Sequence, residues 1–200
     1  MIDFIFSIAI LIMSIVIHEV SHGVTANLLG DPTAKYEGRL TLNPLKHLDP
    51  FGSVLLPVVT YMIGGFIFGW AKPVPYNPYN LKNQRWGPAL VGGAGPASNI
   101  LVALVFALVL RAVSVSAPAS LVAILTTIVF INILLAVFNL VPIPPLDGSK
   151  VLFALLPERF SNFQFFLEQY GFMILLLFIF VFWRYLIPLV FLLFRVFVGA

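Results

Sequence analysis

Residues 88–113 and 119–141 form two long apolar runs in which Arg111 is the only ionisable side chain. A run of about 18 or more such residues can cross the roughly 30 Å hydrocarbon core of a bilayer as a helix. The rest of the chain follows suit: 60% of its 200 residues are hydrophobic, only 10% are charged, and 20 are Phe. A water-soluble domain carries about 25% charged side chains, so this chain lacks the polar surface to coat a globule in water. That excludes a soluble enzyme and a disordered tail. It also excludes a nucleic-acid partner, because the 11 Lys and Arg are scattered singly and build no basic patch. The expected fold class is an all-α polytopic membrane protein whose surroundings are the lipid bilayer.

The first apolar run starts at Phe4. Asp3 precedes it, with no basic start and no small-residue cleavage site, so the segment is expected to be retained as a helix. It continues through His18-Glu19-Val20-Ser21-His22 to Leu29, where Gly30-Asp31-Pro32 supplies a glycine C-cap and a helix-stopping proline. Residues 31–50 are the most polar of the chain, and the alternation in Gly38-Arg39-Leu40-Thr41-Leu42 predicts a loop or small β-hairpin at the membrane surface. Residues 51–69 are apolar but broken by Pro57 and Gly64-Gly65. After the spans 88–113 and 119–141, Pro142-Ile143-Pro144-Pro145 forces a turn, and a short helix runs from Asp147-Gly148 to Leu156. A Phe-rich region from about 163 to 199 follows, interrupted by Arg184 and Pro188. The expectation is a single membrane-embedded domain, 1–200, with a core over 1–156 and C-terminal hydrophobic helices over 157–200. It should hold about five to six membrane helices, with a β-hairpin or re-entrant region between the first two conventional spans.

Ionisable side chains inside an apolar helix are costly and mark function by default. His18, Glu19 and His22 lie well inside the first span, and the i, i+4 spacing puts both imidazoles on one face. Two such imidazoles can clamp one metal ion, and the Glu beside the first is placed as a general base. The chain has no Cys, so a third ligand must be His, Asp or Glu. The candidates are His47, Asp49, Asp147, Glu158 and Glu168. Asp147 is the best placed, because a long span and a rigid Pro-rich turn precede it; its alternative role is to cap the helix that starts at Gly148.

Six of the eleven basic residues fall between 31 and 87, which assigns both polar stretches to the cytoplasm. Residues 51–69 must then enter and leave on one side. The span 88–113 runs outward, 119–141 returns, and Asp147 arrives beside the C-terminal half of the first span. A full crossing by 51–69 would strand Asp147 on the opposite face.

The segments His18-Glu19-Val20-Ser21-His22-Gly23 and Asn139-Leu140-Val141-Pro142-Ile143-Pro144-Pro145-Leu146-Asp147-Gly148 together resemble the HExxH and NxxPxxxLDG motifs of the site-2 protease family of intramembrane zinc metalloproteases. The likeness is to the short form without a PDZ domain. It implies one Zn2+ per chain held by His18, His22 and Asp147, with Glu19 as catalytic base and Asn139 supporting substrate or oxyanion. It also implies a multi-pass protein of the cell membrane that hydrolyses peptide bonds of a transmembrane protein substrate near the cytoplasmic side.

Other readings stand beside these. Asn139 suits an interhelical hydrogen bond equally well. Ala94-Gly95-Pro96-Ala97-Ser98-Asn99 resembles a family helix signature more weakly, and Gly92, Gly93, Gly95, Ser98 and Asn99 read as close helix packing. Gly64 to Pro75 is either a structural re-entrant loop or a strand edge for an unwound peptide. His47 reads as a solvated loop residue, or with Asp49 as a gating pair. Arg111, Arg184 and Arg195 read as interfacial anchors, and the Phe-rich tail as lipid-facing or packed on a neighbouring protomer in a homo-oligomer. The competing functions are a membrane HExxH peptidase with Glu158 or Glu168 as third ligand, and a non-catalytic adaptor or chaperone on a retained metal site.

Overall fold

The computed structural model describes residues 2–55, 58, 59, 62, 71–113 and 117–199. Among them every regular element is helical and no strand forms. Helix α1 spans Ile2–Leu28 and a single turn, α2, spans Thr33–Tyr36. Helices α3 (Gly87–Val113) and α4 (Ala119–Asn139) form an antiparallel pair. The short α5 (Gly148–Leu155) follows the Pro-rich turn, then come α6 (Ser161–Leu177) and α7 (Trp183–Val198), joined by a π-helical stretch at Phe178–Phe182.

Four stretches are long and apolar enough to cross a bilayer: 5–28, 87–113, 119–139 and 158–198. The last holds 41 residues. At about 1.5 Å per residue it is twice the thickness of a bilayer core, and its packing divides it. Gly171 lies against Pro144, Leu175 packs on Val141 and Leu146, and Trp183 stacks edge-on against Phe138 at 5.5 Å. Further along, Val190 is buried among Ala103, Ala107 and Val129. At the end Arg111 donates to the Val196 carbonyl and so ties the tail to the end of α3. Residues 171–199 therefore descend beside α4, and the preceding turns project beyond the Pro-rich turn.

Helix α3 is central, in contact with α1, α4, α5 and α7. Ala103 and Ala107 let it close on Val129, Ile133 and Val137 of α4, the small-residue packing that brings helices together where no hydrophobic effect does. Leu101, Leu104 and Leu108 of the same helix, with Phe180 and Leu192 of the tail, point outward. A surface this apolar suits lipid.

The polar loops cap one end of the bundle. Gly30, at φ 111°, turns the chain out of α1. Asp31 is fully buried and accepts from the Thr33 hydroxyl at 2.6 Å, the Asn77 N–H at 2.6 Å and the Asn80 side chain at 2.9 Å. Arg39 is also buried and donates to the carbonyls of Lys46, Lys72 and Pro73. His47, expected in solvent, is 1% exposed and donates from Nε2 to the Thr41 carbonyl at 2.8 Å. Residues 38–42 form a loop and not a hairpin: the N–H groups of Gly38 and Arg39 bond back to the carbonyls of Lys35 and Ala34, and the Thr41 carbonyl is taken by His47. Most of the broken segment 51–69, including Pro57 and Gly64-Gly65, lies outside the described residues. The chain around it does not: the Lys72 N–H donates to the His47 carbonyl at 2.9 Å.

Burial opposes the charge of Asp31. Hydrogen bonds from the Thr33 hydroxyl, the Asn80 amide and the N–H groups of Asn77 and Thr33 outweigh it and hold the carboxyl below its ordinary range. A carboxyl lowered on folding stabilises the fold above its unfolded value of about 3.9, and that contribution is lost as pH falls through the lower folded value. Thermal unfolding in detergent should accordingly become easier as pH drops below about 4. Asp31→Ala should cost about 1–3 kcal/mol at neutral pH, since it orphans buried donors. An Asp31→Ala melting curve that overlays wild type at pH 7 would refute this account.

Candidate metal centre and cleft

Helical periodicity on α1 places the His18 and His22 rings 4.6 Å apart, nearly perpendicular. His22 Nδ1 lies 2.6 Å from the Val91 carbonyl and His18 Nδ1 2.6 Å from Asn99 Oδ1. Those oxygens only accept, so each ring carries a hydrogen on Nδ1, and the neutral ring turns the lone pair of Nε2 the other way. Both Nε2 atoms face one carboxylate oxygen: Asp147 Oδ2 is 3.0 Å from His18 and 3.3 Å from His22.

Asp147 occupies the N-cap position of α5, yet its side chain makes no capping hydrogen bond. It points to the histidines instead. The turn that delivers it is tight: the Pro144–Pro145 bond is cis, and a Cβ at Gly148 would collide with the Leu140 carbonyl.

Three acceptor atoms thus converge within 4.8 Å of one another, the only such group among the described residues. In the neutral rings these lone pairs face a carboxylate in a low-dielectric interior, and a cation, whether a proton or a metal ion, is their complement. Two imidazole nitrogens and a carboxylate oxygen are the donor set of a zinc site with an open position, so the residues fit that metal. Gly95 of α3 preserves the space, since a Cβ there would lie 2.5 Å from both Nε2 atoms.

Glu19, half-buried on the neighbouring face of α1, accepts the Val74 N–H at Oε2, 2.8 Å away. It opens with His18, His22, Asn139 and Asp147 onto a cleft of about 250 Å³. Asn139 donates from Nδ2 to the Leu135 carbonyl of its own helix at 2.9 Å and, among the described residues, makes no bond across helices. Pro96 has no N–H, which leaves the Gly92 carbonyl without its helical donor at the cleft wall.

The other candidate ligands stay apart. His47 is pinned in its loop, and Asp49 accepts the N–H groups of Phe51 and Gly52 at 2.9 and 2.7 Å. Glu158 and Glu168 line a second cleft of about 660 Å³ with Arg85, so neither competes with Asp147. Sequence reasoning missed Asn99 as a partner of His18. The available clue was the one that drew attention to Glu19: a polar group inside an apolar helix needs a reason.

Residues 111–182 match the family described as Peptidase family M50. Over 173 residues the chain is 39% identical to YwhC of Bacillus subtilis, which is named as a zinc metalloprotease; the match covers 83% of this chain and 76% of that one. The chain belongs to peptidase family M50. It is also 35% identical to Rip2 of Mycolicibacterium smegmatis and 31% to Rip2 of Mycobacterium tuberculosis, both named as zinc metalloproteases. Each of these matches covers 149 residues, or 74% of this chain and 56% of the relative, so the chain spans just over half the length of the Rip2 proteins. No solved structure matches it. The expected resemblance to site-2 proteases holds, and this M50 chain is a multi-pass membrane metalloprotease.

Gly95→Ala should weaken metal binding by about tenfold or more, the scale of a perturbed ligand shell. Gly93→Ala, whose Cβ would meet nothing within 4 Å, should leave it unchanged. Metal content per purified chain measures both, and wild-type zinc in Gly95→Ala would overturn the role given to Gly95.

Proposed function

We propose that this M50 protein hydrolyses peptide bonds of transmembrane protein substrates at a single zinc site held by His18, His22 and Asp147, at the cytoplasmic end of its bundle in the cell membrane. The observation that carries the reading is the convergence of both Nε2 atoms on Asp147 Oδ2 beside a cleft that Glu19 enters. Zinc bound there would supply Lewis acidity toward a peptide carbonyl and toward water. Glu19 receives the proton, its carboxylate steadied by the Val74 N–H at one oxygen while the other stays free to act as base. Asn139 commits one N–H to Leu135 and keeps its second for the carbonyl oxygen on which charge develops. A substrate helix uses its own carbonyls, so it must unwind locally before one can enter.

The finer topology belongs to the same reading. Five to six membrane segments result if 51–69 is re-entrant, and the bond between Lys72 and His47 supports this by joining the chain on either side of that segment. Lys35, Lys46, Lys72, Lys82 and Arg85 are exposed on the loops that cap the end of the bundle holding the site, which supports the cytoplasmic assignment.

Glu19→Gln should retain zinc but lose about 10²–10⁴-fold in cleavage rate, whereas Asp147→Ala should lose zinc and activity together. Comparing membrane-protein fragments in cells that carry wild type or Glu19→Gln reads out the difference; equal cleavage would sink the assignment. Single cysteines at Lys46, Lys82 and Glu158, introduced into a chain without any, should be labelled from one common side. A split among the three would overturn the topology.

A further inference from the structure

Behind His18 three polar side chains from three helices meet in the bundle interior: Ser14 on α1, Asn99 on α3 and Asn132 on α4, the two amides fully buried. Such groups are tolerated only when every donor and acceptor is paired. Asn132 Nδ2 donates to the Ile128 carbonyl and to Ser14 Oγ, both at 2.9 Å. Its Oδ1 accepts from Asn99 Nδ2 at 2.8 Å, and Asn99 Nδ2 also reaches the Ser14 carbonyl at 3.3 Å. Asn99 Oδ1 then accepts from His18 Nδ1 at 2.6 Å. All four amide N–H groups and both amide oxygens are engaged.

The direction of this chain is forced. The Ile128 and Ser14 carbonyls only accept, so each amide must turn its NH2 toward them. Reversing either amide would set carbonyl against carbonyl. Asn99 must therefore show its oxygen to His18, the ring must place its hydrogen on Nδ1, and Nε2 keeps its lone pair on the side of Asp147. His22 differs, because its direction comes from a main-chain carbonyl, Val91, that no side-chain change can reverse.

We propose that Asn99 and Asn132 are positioning residues: the relay Ser14–Asn132–Asn99 fixes the tautomer and ring orientation of His18 and thereby sets the zinc affinity of the site. The proposal rests on the reading of His18 as a zinc ligand. It makes Asn132, which touches no ligand, a determinant of metal binding through the packing of α1, α3 and α4.

The test uses the purified full chain in detergent. Zinc affinity is measured by chelator competition, and ligand geometry by the visible spectrum after cobalt(II) substitution. Asn132→Leu removes the acceptor that orients Asn99, and Asn99→Leu removes the partner of His18; each should weaken zinc binding by about tenfold to a hundredfold and alter the cobalt bands. Asn99→Asp presents an acceptor to His18 whichever way it turns but sets its other oxygen against Asn132 Oδ1, so it should bind zinc more weakly than wild type and more tightly than Asn99→Leu. The double variant Asn99→Asp/Asn132→Leu should recover what Asn132→Leu alone loses. A role in packing alone gives no such rescue. Wild-type affinity and spectrum in Asn132→Leu, or a double variant no better than Asn132→Leu, would overturn the relay. Should Asn132→Leu fail to fold, Asn99→Leu against Asn99→Asp carries the comparison, and equal affinities overturn it. Zinc lost from Asp147→Ala but kept by Asn132→Leu refutes the relay alone, while zinc kept equally by Asp147→Ala refutes the ligand reading beneath it.

Discussion

Two imidazole nitrogens and a carboxylate oxygen are held against one another inside an apolar bundle, where a shared cation is what satisfies all three, and the rest of the structure answers to that demand. In water the three would drift apart behind their own hydration. Here they cannot, because each is fixed by something that does not titrate or rotate freely. Val91 and Asn99 hold the far nitrogens of the rings. The carboxylate arrives on a turn with little freedom: Gly148 is wedged under the Leu140 carbonyl, and Gly171 of the tail leans on Pro144 from outside. Preorganisation of this kind moves the cost of assembling the donors from metal binding to folding.

The polar loops extend the same logic to the proton acceptor. Arg39 and Asp31 are both buried, yet among the described residues neither pairs with an opposite charge; Asp31 is held by main-chain N–H groups and neutral side chains, and the two terminal nitrogens of Arg39 by main-chain carbonyls. Their targets bracket one short segment. Arg39 takes the carbonyls of Lys72 and Pro73, Asp31 takes the N–H of Asn77, and the N–H of Val74 between them holds Glu19. Two desolvated charges thus position the strand of backbone that aims the base. A surface salt bridge would be screened and loose in the same place.

What could be read in the sequence and what could not divide along physical lines. His18, Glu19 and His22 were legible because helical periodicity turns i, i+4 spacing into geometry without further information. Asp147 was legible as to place, while the choice between ligand and cap needed the side-chain direction. Arg39 read as one more topological charge, because its partners lie 7 to 34 residues away and are carbonyls, which every residue has. The alternation over 38–42 suggested a hairpin, but a strand needs a partner, and Arg39 and His47 had already claimed the neighbouring backbone. The Phe-rich tail read as hydrophobic helices over 157–200, lipid-facing or packed on a neighbouring protomer; only its contacts with Phe138, Val129 and Arg111 show which part descends beside α4.

Helix α3 shows how one sequence pattern carries both packing and chemistry. Gly92, Gly95, Pro96 and Asn99 fall at i, i+3, i+4 and i+7, which is one face of a helix. Of the residues read as close packing, Gly92, Gly95 and Asn99 lie on this stripe, whereas a Cβ at Gly93 would meet nothing within 4 Å; and what packs against the stripe is the site: Lys150 and the Asp147 backbone at Gly92, both histidines at Gly95, and His18 again at Asn99. A side chain at either glycine would occupy space that the ligands or the cleft require, and a larger apolar residue at 99 would leave His18 without a partner. The opposite face, with Leu101, Leu104 and Leu108, meets only the surroundings of the bundle. Substitutions along α3 should therefore sort by azimuth rather than by depth or hydrophobicity, since the two faces of this helix are solvated by different things: one by lipid, the other by the ligands of a metal.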